Sequence, residues 1–316
     1  MHFQIKSHAH RKAQVPHAPR TEMEGYVMML RLNVPTQRGS VLNGVLFRQE
    51  KKKNTDTVMI AITGIHGNFY SNPFYYNIGD TLNSGNVDFI YAQTNDAFGQ
   101  IETVNVNTGK KETIGSWNER FSYTDEDIDA YLTWASEEGY EHIILAGHSL
   151  GANKVIYYLS HNHDPRVEHF FLLSPANLTY MMSGVTAQEK QIIRDQVERG
   201  DGDKMLPFPF MDWVECIANT AYDWQFSGML NNVHTAHDGD FSQAEKITHN
   251  GALLVGIYDN FTDGDPSDFL RNLNAHMPTA DQNKLIFIEK TGHTYQMKNQ
   301  EVADDILAQL NEWRDA

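Results

Sequence analysis

The 316-residue chain carries a formal net charge of −16, with 41% hydrophobic and 21% charged residues. This is enough apolar material for a sizeable core, and the negative balance excludes nucleic acid and anionic membrane surfaces as partners while favouring solubility. A single cysteine, Cys216, allows no intramolecular disulfide, and no apolar run approaches the roughly 18 residues of a membrane span, so the chain reads as a soluble, unprocessed, cytoplasmic protein.

Residues 1–20 hold Lys6, Arg11, Lys12 and Arg20, four histidines and no acid. They read as a frayed arm over residues 1–25 rather than a targeting segment or a nucleic-acid tail. Residues 26–34 and 41–49 suit a pleated surface and are separated by a turn at 35–40, which predicts an antiparallel hairpin. After the charged turn 51–56, the run TVMIAIT at 57–63 predicts a strand buried on both faces.

From there the pattern alternates: helix 73–82, strand 87–92, helix 125–138, strand 142–146, helix 152–161 and strand 167–173. The rhythm breaks after Ser174 and Pro175. Thr186 with Glu189 forms a capping box for a helix ending at Gly200, residues 205–211 are rich in proline and aromatics, and 213–229 again has a helical pattern. Alternation resumes with strand 252–258, helix 267–276, strand 285–288 and helix 302–313. The expected fold class is therefore α/β, with a doubly wound, mostly parallel sheet in a core of residues 26–175 and 248–316, interrupted by a helical cap at 176–247.

The sequence Gly147-His148-Ser149-Leu150-Gly151 matches Gly-x-Ser-x-Gly. The apolar run IILA before it reads as a buried strand, and Ala152, Val155, Ile156 and Leu159 after it follow helical spacing. Strand, turn and helix in that order make a nucleophile elbow, in which small neighbours let a strained serine project its Oγ above the sheet. A serine hydroxyl needs a base. His293 lies just past the last predicted strand, where a loop can return its imidazole to the elbow. Asp259, at the end of the preceding strand, is the candidate acid, with Asp263 and Asp265 as nearby competitors. For the oxyanion, the backbone amide of Leu150 is the first expected donor. The second is expected from the glycine-rich turn 63–69, at Asn68 or else Phe69.

With these motifs in place the chain resembles the α/β-hydrolase superfamily over roughly residues 41–316. Within it, ILAGHSLGANKVIYYLS followed by FFLLSPAN is similar to a bacterial and fungal branch whose fungal members include siderophore esterases. The resemblance carries over Ser149, Asp259 and His293 where their motifs match. It departs at QTNDAFG, residues 93–99, which lacks the Arg-Gly-x-Gly type of sequence many relatives show after the fourth strand, leaving a long unassigned loop through Phe121.

The reading that follows is a serine esterase acting on small or medium organic esters through an acyl-enzyme, with a small-molecule ester as its partner. Phe69, His148, Trp213 and Trp224 are candidate pocket residues. Phe208, Phe210, Tyr222 and Phe226 join the two tryptophans as either cap core or pocket lining. His234, His237 and Asp238 have metal-ligand side chains but no second ligand group at known spacing, and residues 263–268 do not fit an EF-hand, so no metal and no cofactor is expected. The alternatives are a non-catalytic receptor on the same scaffold, or an acyltransferase, thioesterase or carbon–carbon hydrolase.

Overall fold

The computed structural model describes residues 27–49, 55–230 and 232–316; the arm expected at 1–25 lies outside them, as does most of the charged turn before residue 55. The predicted hairpin is β1 (Val27–Pro35) and β2 (Val41–Gln49), antiparallel with Leu30 opposite Leu46. Next come β3 (Thr57–Ile62), α1 (Phe74–Ser84) and β4 (Asp88–Ala92). The loop left unassigned by sequence holds a separate hairpin, β5 (Ile101–Asn105) and β6 (Lys110–Ile114), followed by a short 3-10 turn at Ser116–Asn118. Then follow α2 (Tyr123–Glu137), β7 (His142–His148), α3 (Leu150–His161) and β8 (Val167–Leu173).

Between β8 and the next strand the chain leaves the sheet for α4 (Leu178–Ser183), α5 (Ala187–Glu198) and α6 (Ala218–Phe226). The predicted capping box at α5 forms: Thr186 Oγ1 accepts the Glu189 amide and the Glu189 carboxylate accepts the Thr186 amide. The helix expected at 213–229 is shorter. Met211 and Asp212 have φ values of 54° and 69°, which turn the chain back on itself, and the bridges Phe210 with Val214 and Met205 with Ile217 occupy the residues before Ala218. The chain returns as β9 (Gly251–Gly256), α7 (Pro266–Ala275), β10 (Lys284–Ile288) and α8 (Asn299–Arg314).

One sheet has the order β1-β2-β4-β3-β7-β8-β9-β10, with β2 antiparallel to its neighbours and all pairs from β4 through β10 parallel. Side chains of a strand alternate between faces, and the two cores divide accordingly. Ile60, Leu145, Phe170 and Leu253 pack under α2, α3 and α7, whereas Met59, Ala146, Phe171 and Leu254 pack under α1 and α8. Each of these side chains larger than alanine is worth about 1.5–3 kcal/mol when removed from water, so burial on both faces stabilises the sheet. A third apolar cluster, including Leu178, Ile193, Phe210 and Trp224, is built by the segment between β8 and β9 and also takes in Leu150 of α3.

The order reverses at β3, whose neighbours β4 and β7 follow it on opposite sides. In open α/β sheets the crevice beyond the carboxyl ends of the strands at such a switch point is where ligands bind. The loops after β3 and β7 meet there. Among the described residues no helix is long and apolar enough to cross a membrane.

Candidate active site

Ser149 joins β7 directly to α3 and has φ 56° and ψ −129°, a conformation L-residues seldom adopt. Its flanking glycines are required by space. A Cβ at Gly147 would lie 2.2 Å from the Gly151 carbonyl oxygen, and one at Gly151 would lie 2.2 Å from that of Ile62. The elbow therefore presses against β3, and Ser149 Oγ projects into the crevice at the start of α3.

His293 Nε2 lies 2.8 Å from Ser149 Oγ, and its Nδ1 lies 2.9 and 3.1 Å from the two carboxylate oxygens of Asp259. The loops that deliver these groups are fastened together: Ile257 N–H donates to Ile288 O and Tyr258 N–H to Thr291 O. Asp259 is fully buried in its side chain and His293 nearly so, at 0% and 10% exposure. The Phe261 amide donates to Asp259 Oδ1 at 2.9 Å, and the Phe261 ring lies 4.3 Å from the His293 ring, closing that side. The competitors are elsewhere. Asp265 caps α7 by accepting the amides of Ser267 and Asp268, and Asp263 is exposed on a left-handed turn.

His148, expected as pocket lining, does more. It is buried, its Nε2 lies 2.8 Å from the His293 carbonyl oxygen, and its ring packs on Phe74, Tyr75 and Tyr295. Burial, reinforced by the nearby His293, pushes the His148 imidazole down to about 3, so at neutral pH it is uncharged and Nε2–H is the donor that holds the His293 backbone in place.

The oxyanion expectation needs a correction. The Asn68 amide already donates to His66 O and to Ser71 Oγ, each at 3.0 Å, and the Phe69 amide donates to Gln93 Oε1 at 2.6 Å. Neither residue borders Ser149. Phe69 instead packs on Tyr70, Tyr76 and Tyr91 and does not line the cavity above Ser149. The residues that reach the elbow are Gly64, where a Cβ would lie 2.9 Å from Ser149 Cβ, and Ile65. The amides of Ile65 and Leu150 have no acceptor among the described residues, and both residues border the cavity above Ser149. The pair suited to a developing oxyanion is thus Leu150 with Ile65. The signal was present in sequence, since Gly64 is the first glycine after the strand.

That cavity has a volume of about 410 Å³. Its walls are mainly apolar, from Ile65, Leu178, Met181, Met211, Trp213, Trp224 and Phe261, and no Asp, Glu, Lys or Arg lines it. Of the two tryptophans left as cap core or pocket lining, both border the cavity, Trp213 42% exposed and Trp224 buried within the third apolar cluster as well. Sequence reasoning missed Met181, Met211 and Phe261. His234 and His237 meet Asp240 O and the Asp268 carboxylate separately, and among the described residues no group of three metal-ligand side chains converges.

Solved structures resemble this chain in fold. Est1E from Butyrivibrio proteoclasticus matches with a TM-score of 0.63 at 16% identity, covering 90% of this chain and 99% of its own. The esterase Pf2001 from Pyrococcus furiosus gives 0.55 at 13%, with 90% and 91% covered, and the α/β hydrolase GrgF from Penicillium sp. sh18 gives 0.60 at 13%, with 90% and 97% covered. The fold is the α/β-hydrolase fold. No curated protein matches the sequence significantly. Residues 36–244, most of the sheet and the segment that follows β8, match the model of a family described as "Protein of unknown function (DUF1749)", and the chain belongs to that family.

Proposed function

We propose that this protein is a serine hydrolase that cleaves a carboxylic ester through an acyl-enzyme. The observation that carries this reading is the line of Asp259, His293 and Ser149 at 2.9 and 2.8 Å, ending beneath two unpaired backbone amides. His293 Nε2 takes the Ser149 proton as Oγ adds to the ester carbonyl carbon. Negative charge on the carbonyl oxygen is received by the Leu150 and Ile65 amides and the positive end of α3. The proton passes to the departing alkoxide, releasing the alcohol. Water, deprotonated by His293, then attacks the acyl carbon and frees the acid, regenerating Ser149. Asp259 holds the imidazole in the required tautomer and stabilises its charged form.

The uncharged, apolar walls favour a neutral ester of a small or medium hydrocarbon-rich acid. The segment between β8 and β9 acts as the cap in this reading, because Met181, Met211, Trp213 and Trp224 all come from it. The test is hydrolysis of p-nitrophenyl acetate by the wild type and by Ser149→Ala. Loss of turnover in a normally folded variant supports the reading, and wild-type turnover in that variant overturns it.

A further inference from the structure

Beside the cavity above Ser149 lies a second cleft of about 280 Å³, where the polar residues His66, Gln100, Ser116 and Glu215 meet Gly99 and the Trp213 ring. Trp213 belongs to both walls. We infer that this cleft binds an uncharged, hydroxyl-bearing alcohol, such as a polyol or a sugar, forming the leaving half of the ester. The inference rests on the hydrolase reading and names its substrate class.

Three observations converge. First, Trp213 is a large aromatic side chain left 42% exposed at the junction of the two compartments. It is held there by a short reversal in which Phe210 and Val214 exchange amide-to-carbonyl bonds of 2.8 and 2.9 Å. Second, that reversal places Met211 and Asp212 at positive φ, and His66, packed edge-on against Trp213 with ring centroids 5.4 Å apart, also has φ 55°. His66 lines the cleft and Met211 and Asp212 immediately precede Trp213, so left-handed backbone sets both ring positions, strain of the kind that persists where geometry serves binding. Third, the polar groups suit neutral hydroxyls. His66 Nε2 is paired with Ser116 Oγ at 2.7 Å, and burial lowers the His66 pKa, so the ring is neutral. Gln100 and Glu215 are exposed at the rim, and no lysine or arginine lines the cleft.

This chemistry sorts ligands. An indole face covers the C–H surface of a polyol while mixed donors and acceptors meet its hydroxyls. An anionic alcohol meets Glu215 with no compensating cation. The apolar cavity next door takes the hydrocarbon acid, so the preferred ester is amphiphilic, apolar on the acyl side and hydroxylated on the alcohol side. His66 follows Ile65, whose amide faces the same reaction centre, so the two compartments meet at the ester bond.

The experiment compares kcat/KM for 1-butyrylglycerol and ethyl butyrate. The wild type is expected to prefer the glycerol ester by about tenfold, and that ratio falls about fivefold in the Gln100→Ala/Glu215→Ala variant, as lost hydrogen bonds of ordinary strength require. An unchanged ratio overturns the inference. So does a preference for butyrylcholine, which assigns the cleft to cations, or for ethyl gluconate over ethyl butyrate, which places hydroxyls on the acyl side. If no ester is turned over, it is the hydrolase reading that fails. The cleft is then tested by tryptophan fluorescence of Ser149→Ala titrated with 1-butyrylglycerol, with Ser149→Ala/Trp213→Phe as control. A saturable signal that needs Trp213 and weakens with Glu215→Ala supports the cleft, and a flat titration overturns it.

Discussion

Helix α3 carries two buried polar clusters built from similar parts, one at its start and one a turn further on. In the first, a carboxylate, an imidazole and a hydroxyl run from Asp259 through His293 to Ser149 and end at an open cavity. In the second, Lys154 Nζ donates to Asp96 Oδ1 at 2.8 Å, Glu119 Oε1 at 2.6 Å and Thr94 Oγ1 at 3.2 Å. Those charged side chains are sealed, with Lys154 1%, Asp96 0% and Glu119 2% exposed. Access separates the two. The first leaves one nucleophilic atom facing a space that a substrate can enter, and the second leaves none.

The sealed cluster still serves the site at one remove. It pins the long excursion 93–121 to α3, and within that excursion the Asp96 carbonyl accepts the His66 amide at 2.9 Å, holding the turn that presents Ile65. Its charges are unequal, one ammonium against two carboxylates. Burial, with repulsion from Asp96, pushes the Glu119 carboxyl up to about 8 despite the opposing pull of Lys154. Burial acts against the Lys154 charge, but Asp96 and Glu119 outweigh it and hold its pKa above the usual value.

The comparison breaks if the two clusters respond alike to substitution. The largest effect is expected from Ser149→Ala, which should lower ester turnover by about 10⁶-fold while leaving the unfolding midpoint nearly unchanged. Next comes Asp259→Asn, with a loss of about 10⁴ in turnover, whereas Asp263→Asn and Asp265→Asn should lose less than about tenfold. A crippled Asp263 variant beside an active Asp259 variant would move the acid. The sealed cluster should answer in stability instead. Lys154→Ala leaves buried carboxylates without their cation and should cost about 3–5 kcal/mol in urea unfolding, with turnover per folded molecule lowered far less than by Ser149→Ala or Asp259→Asn.

A smaller effect separates Glu119 from its partners. Between its ordinary value of 4.5 and about 8, the folded chain holds a proton that the unfolded chain releases, so this group makes stability fall as pH rises through that window. The slope from one proton is at most about 1.4 kcal/mol per pH unit and vanishes above about 8. Glu119→Gln removes the titration. The stability difference, variant minus wild type, should therefore rise from pH 5 to about 8 and then level. A difference that stays flat with pH would show that Glu119 remains ionised throughout.

The first cluster was legible in the sequence and the second was not, for a physical reason. The elbow is local: a buried strand, two glycines and an amphipathic helix are all read within about one short window. His293 and Asp259 follow from strand ends, whose positions the apolar runs mark. Lys154 meets Asp96 and Glu119 across separations of 58 and 35 residues, and no spacing rule announces a pairing of that kind. The error at Asn68 has the same origin. Which residue of the turn after β3 touches Ser149 depends on β3 lying beside β7, and sheet order was not available from the pattern. The β5 and β6 hairpin was missed because β5 is exposed at alternate residues and β6 opens on exposed Lys110 and Lys111, so neither has a strong apolar run. Trp213 was placed at the start of a helix over 213–229, yet the left-handed residues Met211 and Asp212 put it in a reversal ahead of α6.

The central claim is that Ser149 is an activated nucleophile and not merely a strained serine. Covalent labelling by a fluorophosphonate probe, read by mass spectrometry of the intact chain and of its peptides, tests this without knowledge of the substrate. One adduct on the peptide containing Ser149, lost in Ser149→Ala and strongly slowed in His293→Ala, is the predicted result. A wild-type chain that stays unlabelled under conditions that label a known serine esterase, or an adduct that survives Ser149→Ala, would contradict it.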